Sequence, residues 1–101
     1  MPYKNLKPKE FKAAMDTHQG SVLLDVRTPR EVAESSIEGA IAIDFLARDF
    51  DQKVKGLDKE VAYYIYCRSG QRSGQACLTM AQLGFKQLSN LEGGILAWNK
   101  Q

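Results

Sequence analysis

The sequence predicts an α/β fold built on a mostly parallel sheet. Strand-like and helix-like segments alternate along the chain, the order that parallel sheets with crossover helices require. Val61-Ala62-Tyr63-Tyr64-Ile65-Tyr66 is apolar on both alternations. A strand covered by helices on both faces reads this way. Prolines and glycines at positions 8, 29, 84, 93 and 94 fall where helices should begin or end. With 101 residues, 44% hydrophobic and 26% charged, residues 1–101 suit one small globular domain.

The elements follow in order. Pro8 to about Met15 predicts a first helix, with Pro8 in the opening turn and Phe11, Ala14 and Met15 on one face. Val22 to Val26 predicts a buried strand. Thr28-Pro29-Arg30-Glu31 predicts a helix start, with Thr28 as N-cap and Glu31 closing a capping box. Ser35-Ser36 and Glu38-Gly39 keep that helix short. Ile41 to Ile43 is a short strand, and Asp44 is placed to cap a helix from about Phe45 to Phe50. Lys53 to Lys59 is polar and reads as a loop or short helix. Val61 to Tyr66 is the central strand, and Gln71 to Leu83 is a helix with Gly84 as its C-terminal glycine. Gln87 to Leu91 is a last strand, and Ile95 to Trp98 opens a terminal helix.

The chemistry lies directly after the central strand, in Tyr66-Cys67-Arg68-Ser69-Gly70-Gln71-Arg72-Ser73. Ligands of open α/β sheets bind beyond the carboxyl ends of the strands, and Cys67 stands at such an end. Gly70 permits unusual backbone angles, so the N–H groups of residues 68 to 72 can curl into an anion nest. The following helix adds its free first-turn donors. Arg68 and Arg72 add full positive charges. Each feature favours thiolate over thiol, and the thiolate is the nucleophile. Ser69 and Ser73 are further, secondary hydrogen-bond donors.

Charge patterning agrees. The net charge of +2 selects no partner class. From Val61 through Leu91, however, there is no Asp or Glu, while Arg68, Arg72 and Lys86 fall inside. A small anionic substrate is the simplest partner, and neither nucleic acid nor membrane is called for. The N-terminal residues have no apolar run like a secretory signal, so a cytoplasmic location is expected. Cys67 and Cys77 are the only cysteines. Cys77 would lie ~9 Å along its helix axis from the helix start. A bridge needs Cα atoms within about 7 Å, so no disulfide is expected. Two cysteines and one histidine without ligand spacing predict no metal site.

The motifs resemble those of the single-domain rhodaneses, the thiosulfate:cyanide sulfurtransferase family, over nearly the whole chain. Leu23-Leu24-Asp25-Val26-Arg27-Thr28-Pro29-Arg30-Glu31 resembles the family's opening motif, and Ile37-Glu38-Gly39-Ala40 its Ile-x-Gly-Ala segment. Tyr66 to Ser73 resembles its active-site loop, and Leu91-Glu92-Gly93-Gly94-Ile95-Leu96-Ala97-Trp98 its C-terminal signature. The resemblance implies a central, mostly parallel five-stranded sheet flanked by helices on both faces. It implies that Cys67 takes the outer sulfur of thiosulfate or a similar donor as a persulfide. Arg68, Ser69, Gly70, Gln71 and Arg72 would bind the anion. Cyanide, a small thiol or a protein thiol would then accept the sulfur, with no metal or organic cofactor. Ser35-Ser36 stand where the family usually has Gly-His, so packing there should differ.

Other readings belong to relatives of the same fold. Rhodanese-like domains also serve as non-catalytic binding or regulatory modules, but those often lack the cysteine. The related dual-specificity phosphatases separate cysteine and arginine by five residues. Here four residues, Arg68 to Gln71, separate Cys67 from Arg72, and Ser73 takes the phosphatase arginine's place. The shorter loop favours a sulfur atom over a phosphoryl group. An Asp25, Arg27 or Glu31 side chain is expected to support the loop by tying it to the neighbouring strand end. Cys77 shares an apolar helix face with Ser73, Ala76, Met80 and Gly84 and is expected in the core, with a sulfur relay as the sharper alternative. His18 is expected to be a surface loop residue. Tyr63, Tyr64, Phe85 and Trp98 are expected to be core or partly buried.

Overall fold

A computed structural model describes residues 2–101. The strands are β1 (Lys4–Leu6), β2 (Val22–Asp25), β3 (Ile41–Ala42), β4 (Ala62–Tyr66) and β5 (Gln87–Leu91). The helices are α1 (Pro8–Thr17), α2 (Pro29–Glu34), α3 (Phe50–Lys55), α4 (Gln71–Gln82) and α5 (Gly94–Trp98). The strands form one sheet in the order β1-β5-β4-β2-β3, and every pairing is parallel. The carboxyl ends of all the strands therefore lie along one edge.

β4 is the central strand, and all five of its residues are buried. Its side chains alternate between two cores. Tyr63, Ile65 and Cys67 join Leu24, Val26, Ala76, Cys77 and Met80 under α3 and α4. Ala62, Tyr64 and Tyr66 join Phe11, Leu23, Leu91 and Ile95 under α1 and α5. Helices thus cover both faces, as the apolar run predicts. Cys77 is fully buried, and burial pushes its thiol up to about 12. Tyr63, Tyr64 and Phe85 are buried, and Trp98 is partly buried. His18 is exposed at the end of α1, with its Nδ1 3.3 Å from the Tyr64 hydroxyl.

Local signals set the helix ends. In α2, the Glu31 N–H donates to Thr28 Oγ1 at 3.3 Å, and the Thr28 N–H donates to Glu31 Oε1 at 3.1 Å. This is the capping box the sequence predicts. Gly84 follows α4 at φ +100°, and the Phe85 N–H returns to the Met80 carbonyl at 3.1 Å.

One expectation needs correction, and one strand is unanticipated. Asp44 does not cap a helix over 45–50. Its Oδ1 accepts the Leu46 N–H at 2.9 Å, which closes a turn around its own backbone. A second turn, from the Phe50 N–H to the Ala47 carbonyl at 3.2 Å, delays the helix to Phe50–Lys55. That helix occupies the segment read in part as loop. The N-terminal strand β1 is not marked by any residue pattern. Lys4 and Asn5 are exposed and Leu6 only partly buried, so no alternation signals this edge strand.

A polar network fixes the end of β4 on the face opposite the cysteine. Asp25 is fully buried and Arg27 is 4% exposed. Arg27 Nε and Nη2 donate to the Asp25 carboxylate at 2.9 and 2.7 Å, and Nη2 also donates to the Ser35 carbonyl at 2.6 Å. The Tyr66 hydroxyl donates to Asp25 Oδ2 at 2.7 Å and accepts the Ile37 N–H at 3.0 Å. Burial pushes the Tyr66 phenol up to about 12, so it stays a donor. A buried ion pair adds little net stability, because desolvation offsets its attraction. What it contributes here is one fixed geometry for the residue preceding Cys67. Ser35, on the unusual Ser-Ser pair, serves this network through its carbonyl and not its side chain.

Candidate active site

Cys67 leaves β4 at the carboxyl edge of the sheet and is fully buried. Its Sγ accepts the Gly70 N–H at 3.1 Å and the Ser73 hydroxyl at 3.2 Å. Burial alone would raise the thiol. It is outweighed by hydrogen bonds from the Ser73 hydroxyl and from the N–H groups of Ser73, Gly70 and Ser69, and the thiol falls below its ordinary value. A buried cysteine in apolar surroundings shifts the other way, as Cys77 does.

The curl of the loop has identifiable causes. Gly70 caps α4 at φ +100°, a region that costs an L-residue about 1–2 kcal/mol. The loop carbonyls are held outward by α5. The Ile95 N–H donates to the Cys67 carbonyl at 2.9 Å, and the Leu96 N–H to the Arg68 carbonyl at 3.2 Å. Asn90 Nδ2 donates to the Gly70 carbonyl at 3.1 Å and to Asn5 Oδ1 at 2.9 Å. With the carbonyls engaged outside, the N–H groups face the sulfur. Close approach of α5 depends on Gly94, where a Cβ would stand 2.2 Å from the Arg68 carbonyl oxygen.

The residues singled out in the sequence separate into groups. The backbones of Ser69 and Gly70 cup the sulfur. The side chains of Arg68, Ser69 and Gln71 are exposed. Gln71 and Arg72 line a cleft of about 590 Å³ beside the loop, together with Phe45, Gly70, Gly74 and Asn90. Arg72 is not a free cation. Its Nη1 and Nη2 donate to Glu31 Oε1 and Oε2 at 2.7 and 2.8 Å. The tie between α2 and the loop is therefore made by Glu31. Among the described residues, the side chains of Asp25 and Arg27 reach the loop only through Tyr66. Ser73 is the donor that sequence reasoning undervalued. Its signal is its place in the first turn of a helix whose preceding loop holds the cysteine, on the face that also buries Cys77.

Ser73→Ala removes the only side-chain donor to the sulfur among the described residues. Since a hydrogen bond to a charged group is worth about 1.5–3 kcal/mol, alkylation of Cys67 at neutral pH is expected to slow about tenfold. The lost donor favours the thiol, so the alkylation profile should move to higher pH. An unmoved profile would show that the backbone donors suffice.

Fold and site together define an α/β protein with an activated cysteine at the carboxyl end of its central strand. Comparison with known proteins narrows the class. The chain belongs to the rhodanese-like domain family, whose pattern matches residues 7–101. It is 37% identical over 98 residues to YtwF of Bacillus subtilis, covering 97% of this chain and 92% of that protein. It is 40% identical over 77 residues to a protein of Allochromatium vinosum named sulfurtransferase, covering 76% and 70% of the two chains. Among solved structures, a rhodanese-like domain protein of Staphylococcus aureus superposes with a TM-score of 0.82 at 28% identity, covering 94% of this chain and 90% of that one. These relatives support sulfurtransferase chemistry for the family to which the chain belongs.

Proposed function

We propose that this protein moves sulfane sulfur from thiosulfate, or a similar small anionic donor, to cyanide or a thiol through a persulfide on Cys67. The observation that carries this reading is the cup around Sγ, where Gly70 N–H and Ser73 Oγ meet the sulfur at 3.1 and 3.2 Å. The Cys67 thiolate attacks the outer sulfur of thiosulfate. A new S–S bond forms, the donor's S–S bond breaks, and sulfite leaves with the electron pair. Cyanide or a thiolate then attacks the outer sulfur of the persulfide and returns the Cys67 thiolate. The loop N–H groups stabilise the anionic sulfur in each state, so the two half-reactions use the same donors. Ping-pong kinetics follow.

The test is direct. Protein incubated with thiosulfate is expected to gain the mass of one sulfur atom, lose it on adding cyanide, and release thiocyanate. Protein alkylated beforehand should do neither. Absence of both signals in unmodified protein would reassign the chain as a binding module. Cys67-dependent release of nitrophenol from p-nitrophenyl phosphate would reassign it to phosphoryl transfer.

A further inference from the structure

The cysteine loop carries two arginines, and they differ in what they face. Arg68 is exposed and has no carboxylate within ion-pair distance among the described residues. Arg72 meets Glu31 fork to fork, and the two side chains are only 25% and 23% exposed. Glu31 is itself fixed from behind, since the Thr28 N–H and hydroxyl both donate to its Oε1 at 3.1 Å. Asp44 adds a weaker negative field at the same guanidinium. The charge that Arg72 brings to the loop is thus already compensated, and its terminal nitrogens are already engaged. Arg72 still lines the cleft beside Gly70 and Gln71 and lies close enough to Cys67 for the two charges to interact.

A thiolate that accepts sulfur from a dianion must also let a dianion go. Two uncompensated guanidinium groups would hold both, and would draw anions over uncharged reactants. We propose that Glu31 is a specificity-determining residue: by holding and neutralising Arg72, it limits how strongly the mouth of the Cys67 loop favours anionic over uncharged reactants. The identity of the natural anions rests on the sulfur-transfer reading above. The charge selection itself does not.

The experiment compares two alkylating probes of similar size, anionic iodoacetate and uncharged iodoacetamide, at Cys67 of the full chain. Glu31→Gln keeps a carbonyl for the Thr28 N–H, so the cap of α2 survives, but it removes the negative charge. The iodoacetate-to-iodoacetamide rate ratio is expected to rise about fivefold, and more at low salt. Persulfide formation from thiosulfate should accelerate by a similar factor, and sulfite should inhibit at lower concentration. In an Arg72→Gln background, adding Glu31→Gln still removes one negative charge but frees no guanidinium, so the ratio should rise no more than about twofold. Glu31→Asp keeps the charge and should stay within about twofold of the parent.

An unchanged ratio in Glu31→Gln would overturn the inference. So would an equal rise in the Arg72→Gln background, because Glu31 would then not act through Arg72. An equal rise in Glu31→Asp would trace the effect to a disturbed α2 cap, and would also overturn it. If the ratio responds while thiosulfate leaves no persulfide, charge selection stands and the sulfur-transfer reading falls. If persulfide forms and the ratio does not respond, only this inference falls.

Discussion

Cys67→Ser is expected to lower sulfur transfer at least about a thousandfold while leaving the fold in place. The hydroxyl is not ionised near neutral pH, so no nucleophile remains to take the outer sulfur of a donor. The fold should survive because the hydroxyl inherits the same partners, the Gly70 N–H and the Ser73 side chain, and buries no unpaired polar group. The small loss of volume should move the melting temperature by no more than about 5 °C. Intact mass after thiosulfate treatment and thermal unfolding by circular dichroism check the two halves. Retained transfer would place the nucleophile elsewhere, and a collapsed melting curve would make the cysteine structural.

Gly94→Ala tests the clamp that shapes the loop. Gly94 has φ +62°, which costs an alanine about 1–2 kcal/mol by itself. The added Cβ would also stand 2.2 Å from the Arg68 carbonyl oxygen and 2.6 Å from the Ser69 nitrogen. Both are backbone atoms, so α5 and the loop must part. That displaces the N–H groups that cup Sγ, and misplacements of this size cost about a hundredfold in rate. We expect kcat/KM to fall at least that far and the melting temperature to drop by about 10 °C. Gly39→Ala is the matched control. Gly39 has φ +89°, yet nothing lies within 4 Å of its added Cβ. It should lose comparable backbone stability and keep its activity. Equal activity loss in both variants would separate the loop's shape from Gly94.

The parts of this molecule that sequence made legible are those whose causes are local. Thr28 and Glu31 cap α2 from three residues apart, Gly84 ends α4 by its own backbone freedom, and the apolar run of β4 shows burial on both faces. The donors around the sulfur are legible for the same reason, since Gly70 and the helix start are contiguous with Cys67. What stayed hidden depends on residues far apart in the chain. Glu31 is among the side chains expected to tie the loop, but Arg72 lies 41 positions away, so the sequence does not name it as the guanidinium that Glu31 compensates. β1 exists because β5 offers it a partner, with Lys4 opposite Ser89 and Leu6 opposite Leu91, and not because its own residues favour a strand. Asp44 misled because a carboxylate that can cap a helix can as readily close a turn.

The clamp has a consequence for how the protein comes into being. The donors that hold the loop's carbonyls outward belong to Asn90, Ile95 and Leu96, more than twenty residues after the cysteine. During synthesis from the N-terminus, Cys67 emerges well before the residues that shape its surroundings. β1 likewise precedes β5, the strand it pairs with, by some eighty positions. Until β5 and α5 dock, the loop lacks the partners that turn its carbonyls away from the sulfur, so the hydrogen bonds that lower the Cys67 thiol are expected to form only with that docking. Shaping of the cysteine loop and docking of β5 and α5 are thus expected to be one event.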